Sequence, residues 1–523
     1  MKKLFSVLLA LALMLTGASL AEEERMTVTV MGIDWGYSPM SDNEMERCWE
    51  DLFDLNMEIE WVNYADYPQK VNTLIASNTQ PDVIQIMASN SQLYYPIFTQ
   101  AIDAGNFVDL KPYLENGIIE NNSVMCNWPQ AIWDQCTYNG GIYILPRDRN
   151  AIATNSGIEV RRDLMIKYGF EDEPTTMDEL KDWLIDLSNA ATEGEGEKIY
   201  ALDFCATTNH DTFMQAKVKA FAVAFTGQMD WGVDEDGEYV YMQFNPKYMD
   251  FLDWMKDLYD AGVLDPEFAL GNTNTSKWKG GHSVAFLSTW YNWNQSEDRV
   301  SNKIFDSDTD DSLECWCLMP VDGPEYKSIC ANTYDFGQCI AISSACSEEK
   351  ILKILDAFNK TEETLPGWYD YYTYGVEGIH YERDENGNVI TSFTEEQSKK
   401  RTEGYVGGWY QILLNQDQDI VASKFDRPVP RGASQEAMDW AHAIEKEITE
   451  YMAENPLQNA TTNLISETYK AEWDTLIADL DDMCIEYVMG TKTREEFEAY
   501  VEGIVSGDTY KTIQAEFKEA AGE

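Results

Sequence analysis

Apolar residues at every second position open the ordered pattern of this chain. Met26, Val28 and Val30 share one face, so residues 26–33 are expected as a strand. Met45, Trp49, Leu52 and Phe53 then recur at helical spacing, predicting a helix over roughly 42–55. Met57, Ile59 and Trp61 return to alternation as a second strand, and Tyr67, Val71, Leu74 and Ile75 form a second helical stripe. Pro81 precedes the run from Val83 to Met87, which is short and apolar enough for a buried strand. A β-α-β-α-β order at this spacing predicts a parallel sheet with right-handed crossovers.

The pattern continues downstream. Residues 141–145 read as a strand stopped by Pro146. Thr176 to Glu179 has the form of a capping box, opening a helix that carries Leu180, Trp183, Leu184 and Leu187. Phe251, Trp254, Met255, Leu258 and Tyr259 mark another amphipathic helix, closed by Gly262. Val284 to Leu287, Cys315 to Cys317 and Ile340 to Ile342 read as short strands, the last feeding a helix with Ile351, Ile354, Leu355 and Phe358. The last 90 residues or so are mainly helical, with stripes at Trp473, Leu476, Ile477, Leu480, Cys484, Tyr487 and at Phe497, Tyr500, Val501, Ile504. Such stripes are the ordinary signature of core packing. The fold class is therefore α/β with a helix-rich C-terminus.

At 523 residues the chain exceeds one compact core, which suggests about three domains or two large lobes. The 44% hydrophobic and 25% charged content is that of a folded globular protein. Charge changes the picture: 92 acidic against 38 basic residues give a net −54. Such a surface repels phosphate backbones and anionic headgroups, which excludes nucleic acid as a partner. The N-terminus resembles an export signal, with Lys2 and Lys3, an apolar segment from Leu4 to Leu15, and Ser19-Leu20-Ala21 before Glu22. Residues 1–21 are accordingly expected to be removed, with the protein exported to the cell surface or beyond (to the periplasm in a host with an outer membrane). Leu15-Thr16-Gly17 starts like a lipobox, but Ala18 stands where the lipid-bearing Cys would be, so direct lipidation is not expected.

Among the 10 cysteines no C-x-x-C pair occurs. Most are expected to be buried thiols, with Cys126 and Cys136 as a candidate bridge. The 4 histidines are isolated and lack zinc-ligand spacing, so neither metal nor cofactor is expected. Acidic turns at Asp234 to Gly237 and Asp384 to Gly387 look like hairpin tips without the full ligand series of a calcium loop.

Enzyme signatures are missing: there is no nucleophile elbow, no phosphate loop and no zinc-protease motif. Ser347 to Lys350 fits S-x-x-K by chance, and 92 acids make paired carboxylates uninformative. Aromatic loops carry more information. Residues 33–37 follow the first strand, 88–95 the third and 288–294 the strand at 284–287. Each mixes Trp or Tyr with Asn, Asp or Ser, and in open α/β sheets ligands sit beyond the carboxyl ends of strands. Flat rings suit the C–H face of a pyranose, while amides and carboxylates suit its hydroxyls. Any single ring could equally be packing its own loop.

The order of several weak motifs is more specific. They are Tyr67 to Ala76 with Pro81-Asp82-Val83, Gly105 to Leu114, Asn139 to Pro146, and Arg162 to Gly169 ahead of Pro174-Thr175. Leu258 to Glu267 and Tyr374 to Tyr381 complete the series. Together they resemble extracellular solute-binding proteins, family 1, of ATP-driven sugar importers, in the long branch from gut Firmicutes. The resemblance spans essentially the whole chain after residue 21 and departs at the missing lipobox Cys. It implies a two-lobed periplasmic-binding-protein-like fold of type II, with ligand held between lobes by hinge closure. Lobe one would be 22–150 plus 313–375 and lobe two 151–312 plus 376–523, with hinges near Ala151 to Asn155, Asp311 to Leu313 and Gly375 to Gly378.

Mapped onto this chain, candidate ligand contacts are Trp35, Tyr37, Ser89, Asn90, Arg147 and Asp148 from lobe one or its edge. Trp290 and Trp293 would come from lobe two, Tyr334 and Asp335 from the returning segment, with Trp409 and Arg427 as further candidates. Asp335 would accept paired hydroxyls and Arg147 would donate in a fork, although Arg147 and Arg427 equally suit structural ion pairs. The expected function is non-catalytic capture of an oligosaccharide and delivery to an ABC permease, by a monomer. So few cations favour a neutral glycan. The alternatives are a secreted glycan hydrolase or lyase, recognised by its products, and a binding subunit that reports sugar to a membrane sensor.

Overall fold

The computed structural model describes residues 25–34, 39–40, 42–63, 65–87, 96–115, 133, 136–146, 153–154, 157–204, 216–270, 276–288, 315–329, 331–332, 338–360, 374–383, 390, 393–404, 406, 435–457, 459–461 and 464–522. Its sheets are built from β1 (Met26–Asp34), β2 (Leu55–Asn63), β3 (Val83–Met87), β4 (Leu145–Pro146), β5 (Gly157–Arg161), β6 (Tyr200–Asp203), β7 (Ser283–Ser288), β8 (Cys315–Cys317) and β9 (Gln338–Ile342). The chain divides into two compact units. One comprises Met1–Met87, Tyr94–Arg147 and Gln338–Gln416; the other comprises Ala88–Leu93, Asp148–Gly337 and Asp417–Glu523.

The first unit holds a sheet ordered β2-β1-β3-β9-β4. β1 pairs in parallel with β2 from Met26↔Leu55 to Asp34↔Asn63, and with β3 at Val30↔Val83. β9 runs antiparallel between β3 and β4. Val28, Val30, Met31 and Ile33 of β1 are all buried because the strand lies inside the sheet, as the expected parallel unit requires. The crossover helix Glu44–Phe53 is started by Asn43, whose Oδ1 accepts the N–H of Met45 at 2.8 Å and of Glu46 at 3.0 Å. It buries the anticipated Met45, Trp49 and Phe53 and ends on Asp54 in the left-handed region.

The expected strand over 141–145 is split in two. Gly141–Ile142 folds back on Thr137–Tyr138 across Asn139 and Gly140, both at positive φ, and Leu145–Pro146 joins β9. Pro146 does not stop the strand; it sits at the sheet's edge, where its missing N–H costs no ladder bond.

The second unit holds a sheet ordered β8-β5-β7-β6, with β7 parallel to β6 and antiparallel to β5. Helices Met177–Glu195, Ala216–Thr226 and Tyr248–Asp260 form one core with this sheet, and the C-terminal helices add Trp473, Cys484, Tyr487, Phe497, Tyr510 and Phe517 to it. Thr176 caps the 177–195 helix through Glu179 N–H, but Glu179 returns its carboxylate to Thr175, at 2.9 Å from N and 2.6 Å from Oγ1. The reciprocal bond of the box is thus displaced by one residue.

The two units and the expected lobes share most residues and differ over 88–93, 148–150, 313–337 and 376–416. Residues 313–337 belong with the second unit, because β8 pairs with β5 and Ala331–Asn332 pairs with Ala153–Thr154. Residues 376–416 belong with the first: Lys400 Nζ bonds Glu44 at 2.6 Å, Met40 N–H donates to Glu403 O, and Arg401 donates to Tyr374 O. Apart from the short stretch Ala88–Leu93, the chain changes unit near 147–148, 337–338 and 416–417. Cys136 is buried, and its expected partner Cys126 lies outside the described residues.

Candidate functional site

All the ligand residues expected from the sequence lie outside the described residues. Their places in the chain are nevertheless defined by described elements. Trp35 and Tyr37 directly follow β1, Ser89 and Asn90 follow β3, Arg147 and Asp148 follow β4, and Trp290 and Trp293 follow β7. Tyr334 and Asp335 precede β9, and Trp409 and Arg427 fall between helices Glu395–Glu403 and Gln435–Glu454. What the structure supplies is the framework from which these segments start.

In the first unit that framework is held at both ends of the β1–β3 pair. Toward the carboxyl end, the buried Gln85 accepts Ile33 N–H through Oε1 at 3.0 Å. The Tyr67 hydroxyl lies 3.1 Å from Met31 O and 2.9 Å from Gln85 O, and burial pushes its pKa well up, so it stays a donor. At the amino end, Asp82 accepts both N–H and Oγ1–H of Thr29 and pairs with Lys350 Nζ at 2.8 Å. Burial pulls the Asp82 carboxyl up, but Lys350, Thr29 and Cys346 together hold it below its ordinary value. This also disposes of the S-x-x-K match. Lys350 Nζ is spent on Asp82, and Ser347 Oγ accepts Lys350 N–H at 3.2 Å as a helix-start bond.

In the second unit, the parallel strands β6 and β7 meet at Asp203↔Phe286. Trp278 is fully buried and stacks on Phe286 with centroids 5.7 Å apart, and its N–H donates to Asp203 Oδ2 at 2.8 Å. Desolvation raises Asp203 to about 6, against the opposing help of backbone N–H donors from Trp278 and Phe204. The nearby cation, Lys277, faces Asp265 at 3.4 Å and Glu267 at 3.3 Å. Sequence reasoning passed over Asp203. Its only signal was position, at the end of a short strand, Tyr200-Ala-Leu-Asp, that carries no aromatic loop motif.

The acidic tip at Asp234 to Glu238 is closed on itself, with Asp234 Oδ1 accepting the N–H of Asp236 at 2.9 Å and of Glu238 at 2.8 Å. The tip at Asp384 to Gly387 lies outside the described residues. Among the described residues no group of three or more His, Cys, Asp or Glu side chains is placed to hold a metal ion.

Both sheets contain parallel strands, β1 with β2 and β3 in the first unit and β6 with β7 in the second, and ligands of open α/β sheets bind at the carboxyl ends of such strands. Among known proteins, residues 49–374 match the bacterial extracellular solute-binding protein family, and the chain belongs to it. The polygalacturonan/rhamnogalacturonan-binding protein YtcQ of Bacillus subtilis is 21% identical over 95% of this chain and 92% of its own. The lipoprotein LipO of the same organism is 22% identical over 73% of this chain and 74% of its own.

Solved structures share the fold. The Streptococcus pneumoniae ABC-transporter substrate-binding protein FusA, an EF-hand mutant in complex with fructo-nystose, superposes with a TM-score of 0.60 at 17% identity, covering 95% of this chain and 99% of that one. The N-glycan transport solute-binding protein NgtS of S. pneumoniae gives 0.61 at 16%, covering 95% and 98%. The periplasmic-binding-protein-like α/β fold expected from the sequence is the fold of this chain.

Proposed function

We propose that this protein captures an oligosaccharide outside the cytoplasm and hands it, unmodified, to an ABC permease. The observation that carries the proposal is the match to YtcQ over 95% of the chain, a protein named for binding polygalacturonan and rhamnogalacturonan. FusA with fructo-nystose and NgtS, named for N-glycan transport, support it from the same fold. The aromatic and amide-rich segments after β1, β3 and β7, with Trp35, Tyr37, Asn90, Trp290 and Trp293, are the proposed sugar contacts. Closure of two lobes on the ligand, as the family resemblance implies, is part of the reading. So are export by residues 1–21 and action as a monomer. Among the described residues no helix is long and apolar enough to cross a membrane.

The relatives' names include both an acidic glycan and a neutral fructan, so ligand charge has to be argued from this chain. A net charge of −54 leaves few cations to neutralise a uronate, and a neutral glycan is the proposed class. A thermal-shift screen against neutral and acidic oligosaccharides tests the proposal. A ligand that binds only the native state adds about 2.7 kcal/mol at a hundredfold excess over its Kd. A raised melting temperature with a neutral glycan, recovered intact by chromatography, is the expected result. Cleaved glycan would favour a hydrolase or lyase, and a shift with peptides alone would overturn the sugar assignment.

A further inference from the structure

Asp203 is an uneconomical way to hold a turn. It closes β6 at the carboxyl end of the parallel β6–β7 pair, the end at which ligands of open α/β sheets bind. Its carboxylate is met by the backbone N–H groups of Trp278 and Phe204. Oδ2 takes Trp278 N–H at 2.8 Å, and Trp278 is immobilised by its stack on Phe286, the cross-strand partner of Asp203. The charged groups facing it among the described residues are Asp265, which repels it, and Lys277, which is engaged by Asp265 and Glu267. No cation among the described residues bonds to Asp203 itself. A neutral Asn would accept the same N–H without the cost of desolvating a charge. A half-buried carboxylate held rigidly at the ligand end of a strand, with no ion-pair partner of its own, is what a hydroxyl-binding group looks like before its ligand arrives.

We infer that Asp203 is a ligand contact of the second unit, accepting hydrogen bonds from sugar hydroxyls through Oδ1, and that it selects neutral over acidic glycans. This rests on the proposed capture of an oligosaccharide and adds a residue and a selectivity to it. Two consequences follow from the chemistry. A carboxylate accepts from hydroxyls, whereas its protonated form gives up that capacity at one oxygen. Neutral-glycan affinity should therefore fall as pH drops through about 6, where burial places this group. A uronate-bearing glycan meets like charge above that pH and is disfavoured there.

The experiment is titration calorimetry of the purified protein and its Asp203→Asn variant with neutral fructo- and manno-oligosaccharides and with oligogalacturonate, at pH 5 and pH 7.5. For wild type, neutral-glycan affinity should fall by up to about tenfold between pH 7.5 and 5, the limit that one group titrating near 6 sets over this range. Asp203→Asn should bind about tenfold more weakly at pH 7.5 and lose that pH dependence, while melting no lower than wild type in the absence of ligand. Wild-type affinity in the variant at both pH values would overturn the assignment, as would a lowered melting temperature with unchanged affinity, which marks a purely structural group. Tighter binding of oligogalacturonate than of neutral glycans at pH 7.5 would overturn the selectivity. If wild type binds none of these glycans, the sugar reading itself falls and this assignment with it. Glycan binding with an indifferent variant leaves that reading standing and removes Asp203 alone.

Discussion

At the scale of single residues, the most informative groups are ionisable side chains kept out of water. His380 is fully buried, its Nδ1 accepts Val376 N–H at 2.9 Å, and its Nε2 finds no hydrogen-bond partner among the described residues. Desolvation lowers its pKa to about 4, with Glu44 acting upward and Arg401 and Lys400 downward. The unfolded chain, with an ordinary His, binds more protons between that value and about 6.5, so stability must fall as pH drops through this window. The loss should approach about 3 kcal/mol at pH 4. Urea denaturation of wild type and His380→Gln at pH 7.5 and 4.5 measures it, and the variant should show the smaller acid sensitivity. Asp82 offers a second case. Lys350→Met removes its cation and should cost about 1.5–3 kcal/mol at neutral pH, read as a lowered urea midpoint with unchanged slope.

At the scale of elements, ring packing ties the C-terminal helices to the second unit. Trp231, almost fully buried, stacks on Tyr510 at 5.8 Å and meets Trp473 at 5.1 Å and Phe517 at 5.3 Å. It thereby joins the Trp231–Val233 strand to helices Glu467–Leu476 and Asp508–Ala521. Trp231→Ala should cost about 3–5 kcal/mol in denaturant unfolding, the range for emptying a buried aromatic site. Gly375 makes the opposite point, that space can be forbidden. Its φ is 86°, and a Cβ would stand 2.8 Å from the ring of His380. Gly375→Ala should destabilise by about 1–3 kcal/mol, through both backbone strain and overpacking, and a melting scan suffices to see it.

These elements also show what was legible in the sequence. The β-α-β-α-β start was readable because alternating and helical periods report burial directly, and Val83–Met87 coincides with the expected run. Long amphipathic helices such as Tyr248–Asp260 were equally plain. The partition between units was not. Which sheet a three-residue strand such as Cys315–Cys317 joins depends on a partner, Gly157–Arg161, far away in sequence, and periodicity carries no record of it. Asp203 was invisible for a related reason. Its environment is made by Trp278 and Phe286, which reach it only through the fold. The loops with Trp35, Trp290 and Trp293 could be placed by their strands, but their side-chain partners could not be read from composition.

At the scale of the whole molecule, membership of an extracellular solute-binding family underlies the proposed capture of a neutral oligosaccharide. The acidic surface bears on that capture. Net charge of −54 favours uncharged cargo and should make affinity for a neutral glycan nearly independent of salt. Binding measured at low and high ionic strength at constant pH should differ little, whereas an acidic ligand would show a strong dependence.

The most direct test of the central claim is calorimetric titration of residues 22–523 with a panel of neutral oligosaccharides, with the ligand analysed by chromatography afterwards. Saturable one-to-one binding of at least one neutral glycan, recovered at its original length, is the expected result. Absence of binding across the panel, or recovery of shortened products, would contradict it.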